Sequence, residues 1–420
     1  MESKEMIYWP EALGGDLPFV GYNHAVNIVA RAVRESITDK PDAANFRIYF
    51  NIPWHHAPAE LKTNGMPLVA YTMFESTNLP DAWRNFLNDH CDAVIVPTEL
   101  CRDCFRLSGV TKPMYVVPFG VDPAEFSYVE PVEHADYTYL WQGHTYDPEG
   151  RKNAGAAEQA FTELRDEGRI GTDTRLIVKY RPHPDSPLEV DNVEIRPGIF
   201  HIGRTLIPED MRLLMETVDC CVNPSHGEGF GFLPLEQMAM GRPVILTKWA
   251  YPFCDERYNI PVKYDLKQSP VWWCYKHFAV DTWGLEWNTG RLLNKMHMPR
   301  LLKKVSNGAW EVGADGNRER VDRTIKATLW NKLCDLHRVS GLYWKPGQKG
   351  HRHLFENNGL DAHIDIVDLK DKMVDCYKNN EKYAELGILA SQWVPEVWGL
   401  DRIRVAFYDA VLRMRRSGII

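Results

Sequence analysis

Short unbroken apolar runs recur along the first ~120 residues, most of them closed by a proline and separated by stretches with helical spacing. They fall at 7–9, stopped by Pro10, at 46–52, stopped by Pro53, at 68–72, at 93–96, stopped by Pro97, and at 114–117, stopped by Pro118. Between the first two, after the loop holding Gly14 and Gly15, Val26, Val29, Ala30 and Val33 share one helical face from about Tyr22 onward. Continuous rather than alternating apolar strands predict a parallel sheet with helices on both faces.

A polar connection containing Pro123 and Pro131 runs to about Asp136, and the rhythm then restarts. Strands are expected at 137–141, 176–179, 220–222 and 244–246, with a helix over 154–167. The pattern predicts an α/β protein of two domains, 1–130 and 136–395. Residues 255–345 break the rhythm and carry Trp272, Trp273, Trp283, Trp287, Trp310 and Trp330, so they read as an insertion in the second domain.

Composition narrows the class. The chain has 420 residues, 44% hydrophobic and 25% charged, an ordinary globular balance that excludes disorder and small disulfide scaffolds. No apolar run approaches the ~18 residues of a transmembrane segment. The opening residues lack an apolar core, so no signal peptide is expected. Nine scattered cysteines fit reduced thiols and a cytoplasmic location. Charge is unevenly spread: the net is −8, yet residues 291–350 hold 13 basic and five acidic residues, a local +8 that leaves −16 elsewhere. Such a segment is either a solvated helical face or a surface for a polyanion, double-stranded DNA being one candidate.

The chemistry concentrates in 223–245, read as strand, glycine-rich loop, short helix, glycine stop, strand. Glu228 and Glu236 stand with seven residues between them, among Gly227, Gly229, Phe230 and Gly231. The glycines allow close backbone approach to a ligand, and the following helix start is an anion site. A dinucleotide fingerprint would need glycine where Phe232 or Pro234 stands.

This stretch resembles the E-x7-E signature of retaining GT-B glycosyltransferases of the group 1, or GT4, type. Other pieces are similar in order: Asp92 to Thr98 with Phe105 and Gly109, Val116 to Asp122, and Ile207 to Met211 through Asp219. The resemblance implies two Rossmann-like domains facing a central cleft, with a C-terminal helix, 396–420, crossing back to complete the first domain. It implies transfer of a sugar from a nucleotide-sugar such as a UDP-sugar to an acceptor hydroxyl. In that scheme Glu236 binds the ribose and Glu228 the donor sugar. Arg151, Lys152 and the amides around Gly229 and Gly231 hold the diphosphate, with His144 where the family carries arginine.

Lys179 at a strand end and Gly15 in the first loop are further donor-side candidates. His55 and Glu75, each following a strand of the first domain, are candidates on the acceptor side. No D-x-D triplet occurs, so no catalytic metal and no cofactor are expected. The basic segment then leaves two acceptor readings open: a hydroxymethylated base in viral DNA, or a carbohydrate, glycan or lipid-linked hydroxyl. A non-catalytic nucleotide-sugar-binding protein is the alternative from another class.

Overall fold

The computed structural model describes residues 5–14, 20–51, 53, 61, 65–79, 81–143, 150–181, 189–249, 251–268, 311–312, 318–319 and 359–420. Two compact units divide the chain. One comprises Met1–Leu79, Trp83–Lys267 and Leu360–Ile420, the other Pro80–Ala82 with Gln268–Gly359. Within the second unit the described residues include one antiparallel pair, β15 (Glu311–Val312) and β16 (Arg318–Glu319). Most of the basic stretch 291–350 therefore lies outside the described residues.

The first unit contains two parallel sheets. Sheet one is built from β1 (Ile7–Tyr8), β2 (Ile37–Thr38), β3 (Phe46–Tyr49), β4 (Leu68–Tyr71), β5 (Ala93–Val96) and β6 (Met114–Val116), in the order β2-β1-β3-β4-β5-β6. Every described pairing in it is parallel. β4 and β5 are buried at every position, which is why they read as solid apolar runs. Helices α1 (Val20–Val33), α2 (Asp81–His90) and α3 (Glu99–Leu107) cover it. Thr98 caps α3 by accepting from Cys101 N at 3.0 Å.

Sheet two is built from β7 (Tyr137–Gln142), β8 (Thr174–Tyr180), β9 (Val190–Arg196), β10 (Ile199–Gly203), β11 (Cys220–Asn223), β12 (Val244–Thr247) and β13 (Ile260–Val262). Its order is β13-β12-β11-β7-β8-β10-β9, parallel except for the β9–β10 edge pair. Without β9 this is the doubly wound Rossmann order, and the strand sequence reverses between β7 and β11. In sheet one the reversal falls between β1 and β3. One face of sheet two packs Tyr139, Trp141, Leu176, Val178 and Val222 against α4 (Ala154–Asp166) and α7 (Ile366–Lys378). The other face lies under α5 (Pro208–Glu216) and α6 (Phe232–Ala239). Residues 255–267, read from sequence as the start of an insertion, belong to this unit and supply the edge strand β13.

The chain leaves this unit along β14 (Tyr264–Gln268) and returns along its pairing partner β17 (Leu360–Ile364). The last helices are α8 (Asn380–Trp398), which contains Pro395, and α9 (Leu400–Arg416). α9 lies on α1: Arg404 Nε donates to Ala32 O at 2.8 Å, and Ser36 Oγ meets Tyr408 Oη at 2.6 Å. At the junction Val121 N donates to Trp398 O at 2.9 Å.

The two sheets are tied by an aromatic column. Trp9 meets Phe50 (ring centroids 6.0 Å), Phe50 meets Tyr71 (4.9 Å), Tyr71 meets Phe119 (5.4 Å), and Phe119 meets Phe230 (5.4 Å) and Phe232 (5.3 Å). Pairs at these separations add about 0.5–1.5 kcal/mol each beyond area burial.

Candidate active site

The turn after β7 and the loop after β11 meet at the reversal point of sheet two. Arg151 and Lys152 occupy that turn. It is pinned to the glycine loop by His226 N donating to Arg151 O (2.8 Å) and Asn153 Nδ2 donating to Pro224 O (3.1 Å). From beneath, Trp141 Nε1 donates to Lys152 O at 3.0 Å. Neither charged side chain is left to solvent. Arg151 Nη1 donates to Glu228 Oε2 at 2.8 Å and to Gly227 O at 2.8 Å, and Lys152 Nζ donates to Glu228 Oε1 at 2.6 Å. Glu228 is thus gripped at both oxygens.

The electrostatics follow. Burial opposes ionisation of Glu228, but Lys152 and Arg151 outweigh it and bring its carboxyl down to about 2. Burial lowers the Lys152 ammonium more than Glu228 restores it. Glu75, following β4, joins from the first domain, its Oε1 3.9 Å from Arg151 Nη2. Burial raises the Glu75 carboxyl despite Arg151.

The loop glycines are needed for close packing against protein. A Cβ on Gly227 would stand 2.1 Å from Glu75 O, one on Gly229 2.8 Å from Met73 Sδ, and one on Gly231 2.5 Å from Tyr251. Gly231 also has φ +96°, where a side chain is strained, and it opens α6. The sides of these glycines where a Cβ would stand face Glu75, Met73 and Tyr251. The Phe230 side chain, a donor-site candidate, is spent in the aromatic column, buried against Phe119, Phe232, Phe253 and Trp398.

Glu236 lies in α6 and is buried. Its Oε1 is 2.8 Å from Nε2 of His24 in α1. Burial works against protonation of His24, but the contact with Glu236 prevails and raises its pKa. The ring also stands edge-on to Phe232 at 4.6 Å. Sequence reasoning missed His24; its one signal was a place in the helix after the first strand's glycine loop, at the ligand-bearing edge of an α/β sheet.

The structure thus brings together Arg151, Lys152, Glu228, Glu75, the glycine loop and Glu236. Lys179 stands apart at the end of β8, and burial followed by the charges of Arg181 and Arg204 lowers its ammonium to about 8. Gly15, His55 and His144 lie outside the described residues. Among the described residues no three His, Cys, Asp or Glu side chains converge as a metal site, and no helix is long and apolar enough to cross a membrane.

β17 borders the site. Ala362 N donates to His226 O at 2.7 Å, and His226 Nδ1 lies 2.7 Å from Ala362 O. On the first-domain side Ser76 Oγ donates to Leu360 O at 3.0 Å, and Leu360 N donates to Thr77 Oγ1 at 2.7 Å.

Residues 139–258 match the family model for glycosyl transferases group 1. No curated protein sequence matches the chain. Among solved structures the chain is similar to sucrose-phosphate synthase from Thermosynechococcus elongatus (12% identity, TM-score 0.51, covering 89% of this chain and 73% of that one). It is also similar to S. aureus TarM in complex with fondaparinux, alpha-GlcNAc-glycerol and UDP (12% identity, TM-score 0.50, covering 92% of this chain). The chain spans 58% of the length of TarM. These likenesses show the fold, two Rossmann-like halves in the GT-B arrangement.

Proposed function

We propose, from a chain whose residues 139–258 are a group 1 glycosyltransferase domain, that the protein moves a sugar from a nucleotide-sugar to an acceptor hydroxyl. The transfer retains anomeric configuration and uses no catalytic metal. The observation that carries this reading is Glu228, buried between Arg151 and Lys152 at the reversal point of sheet two, with Glu236 further along the helix that follows. Ligands of open α/β sheets bind at such points.

Glu236 takes the ribose hydroxyls, for which it must leave or share its contact with His24. The amides at the start of α6, with Arg151 and Lys152, face the diphosphate. Negative charge grows on that group as the glycosidic bond breaks, so preset donors and cations there favour the transition state over the bound donor. Glu228 aligns both cations and takes hydroxyls of the donor sugar. UDP in the TarM complex supports a nucleoside diphosphate as the leaving group. The +8 of residues 291–350 supports a polyanionic acceptor, duplex DNA with hydroxymethylated bases being the form to try first.

The test is nucleotide release from UDP-, GDP- and ADP-sugars, with and without hydroxymethylated DNA, with and without EDTA, and with the product anomer read by NMR. Turnover of one donor in EDTA, with retention, is expected. Loss of activity on chelation, an inverted product, or no turnover of any nucleotide-sugar would each remove the corresponding part. DNA that neither accepts sugar nor binds with steep salt dependence would return the acceptor to a carbohydrate or lipid-linked hydroxyl.

A further inference from the structure

Lys179 has the setting of a binding residue. Along β8, Leu176 and Val178 face the core under α4 and α7, which puts Lys179 on the opposite face of the sheet. Its register partner on β7 is Gln142, and Tyr139 and Trp141 of that strand belong to the same core, so Gln142 shares the face of Lys179.

That face carries a polar row along the carboxyl edge. Asn223 Nδ2 donates to Gln237 Oε1 at 2.7 Å, and Gln237 Nε2 donates to Gln142 Oε1 at 3.4 Å. Lys179 stands one strand further, at a spacing of about 4.8 Å. The row therefore begins at α6, where Gln237 follows the ribose candidate Glu236, and runs across β7 to Lys179 on β8.

The residue is only 6% exposed. Among the described residues its ammonium has no hydrogen-bond or ion-pair partner, and the charges that act on it, Arg181 and Arg204, are positive. Burial and like charges both disfavour the ammonium, and an acceptor oxygen brought by a ligand would offset them. With the diphosphate at the start of α6 and the ribose at Glu236, the part of a nucleotide that extends along this row is the base. An ammonium group donates and never accepts. It pairs with the exocyclic oxygen of uracil, hypoxanthine or guanine, and it opposes the amino group that cytosine or adenine carries at the corresponding position.

We propose that Lys179 reads the nucleobase of the donor, selecting a base with an exocyclic carbonyl oxygen over one with an amino group in its place. The assignment rests on the nucleotide-sugar reading above and narrows it.

The experiment is calorimetric titration of the full chain with two matched pairs, UDP against CDP and IDP against ADP, each differing in oxygen versus amino at one ring position. The wild type should bind the oxo member of each pair about 10- to 100-fold more tightly. Lys179→Met should erase both preferences. Lys179→Gln, whose amide both donates and accepts, should erase them as well while keeping a polar group for folding. Equal binding of both members by the wild type, a preference for the amino member, or preferences that survive both substitutions would overturn the proposal and leave the nucleotide-sugar reading standing. If none of the four binds the wild type, the donor reading itself falls and takes this one with it.

Discussion

Glu228 and Glu11 both stand at the reversal point of their sheet and titrate in opposite directions. Each follows a strand at its sheet's reversal point, Glu228 after β11 and Glu11 after β1, and each is buried. Glu228 has two cations on its oxygens and stays ionised down to about 2. Burial pushes Glu11 up to about 7, with Arg47 and the Phe50 amide too weak to offset it, and among the described residues its Oε2 has no hydrogen-bond partner. The same residue type thus becomes a fixed anion in one sheet and a group near neutrality in the other. Around Glu11 the edge is aromatic, with Trp9, Phe50 and Tyr71; around Glu228 it is cationic. Cations suited to a diphosphate are gathered at the reversal point of sheet two.

The largest effect should come from taking one cation away. Lys152→Ala should lower kcat about 10²- to 10³-fold, the scale for loss of a preset donor to developing charge, and weaken nucleotide binding by less. Equal losses in kcat and in nucleotide affinity would place Lys152 in ground-state binding and blunt the contrast.

The opposite edge is tested by pH. Because the folded Glu11 pKa, about 7, lies above its ordinary value of 4.5, the native state holds this proton more tightly than the unfolded chain. Stability is then greatest below 4.5 and declines as pH rises through 7. Glu11→Gln should be more stable than wild type near pH 8 by up to about 3 kcal/mol, and the advantage should vanish below about pH 4.5. Denaturant midpoints across that range measure it, and a pH-independent difference would mean the carboxyl does not titrate as described.

Next comes Glu236→Ala, expected to cost about 1.5–3 kcal/mol of nucleotide affinity through lost charged hydrogen bonds. Calorimetry of nucleoside diphosphate against the bare base would sharpen this, since only the former should lose. Smallest is Gly227→Ala, whose added carbon meets Glu75 O at 2.1 Å. Overpacking there should lower stability by about 1–3 kcal/mol, whereas Gly21→Ala in α1, with nothing within 4 Å, should leave Tm unchanged or raised.

Legibility followed burial. β4, β5 and β12, buried at every position, were plain in the sequence as apolar runs. β2 has two residues, and β9 is almost wholly exposed with its charges on both faces, so neither has a run to read. The E-x7-E stretch was legible as a motif because it is local. The grip of Arg151 and Lys152 on Glu228 was not, since it depends on two loops meeting across adjacent strands. His24 was silent for the same reason: only the packing of α1 beside α6 gives it Glu236. The glycines illustrate a motif whose residues were found but whose packing partners were not.

The paired exit and return strands, β14 and β17, have a bearing on how such a protein can change. Their ends are neighbours in a sheet, so whatever chain joins them closes a loop whose entropic cost grows only with the logarithm of its length. A lineage could lengthen, shorten or exchange that joining segment while both Rossmann-like halves kept their folds. β17 also bonds to His226 of the glycine loop and to Thr77 beyond it, so the return strand is anchored by the first unit itself and does not depend on what the joining segment contains. The junction is a grafting point, through which one segment could be rewritten while the fold of the rest is inherited intact.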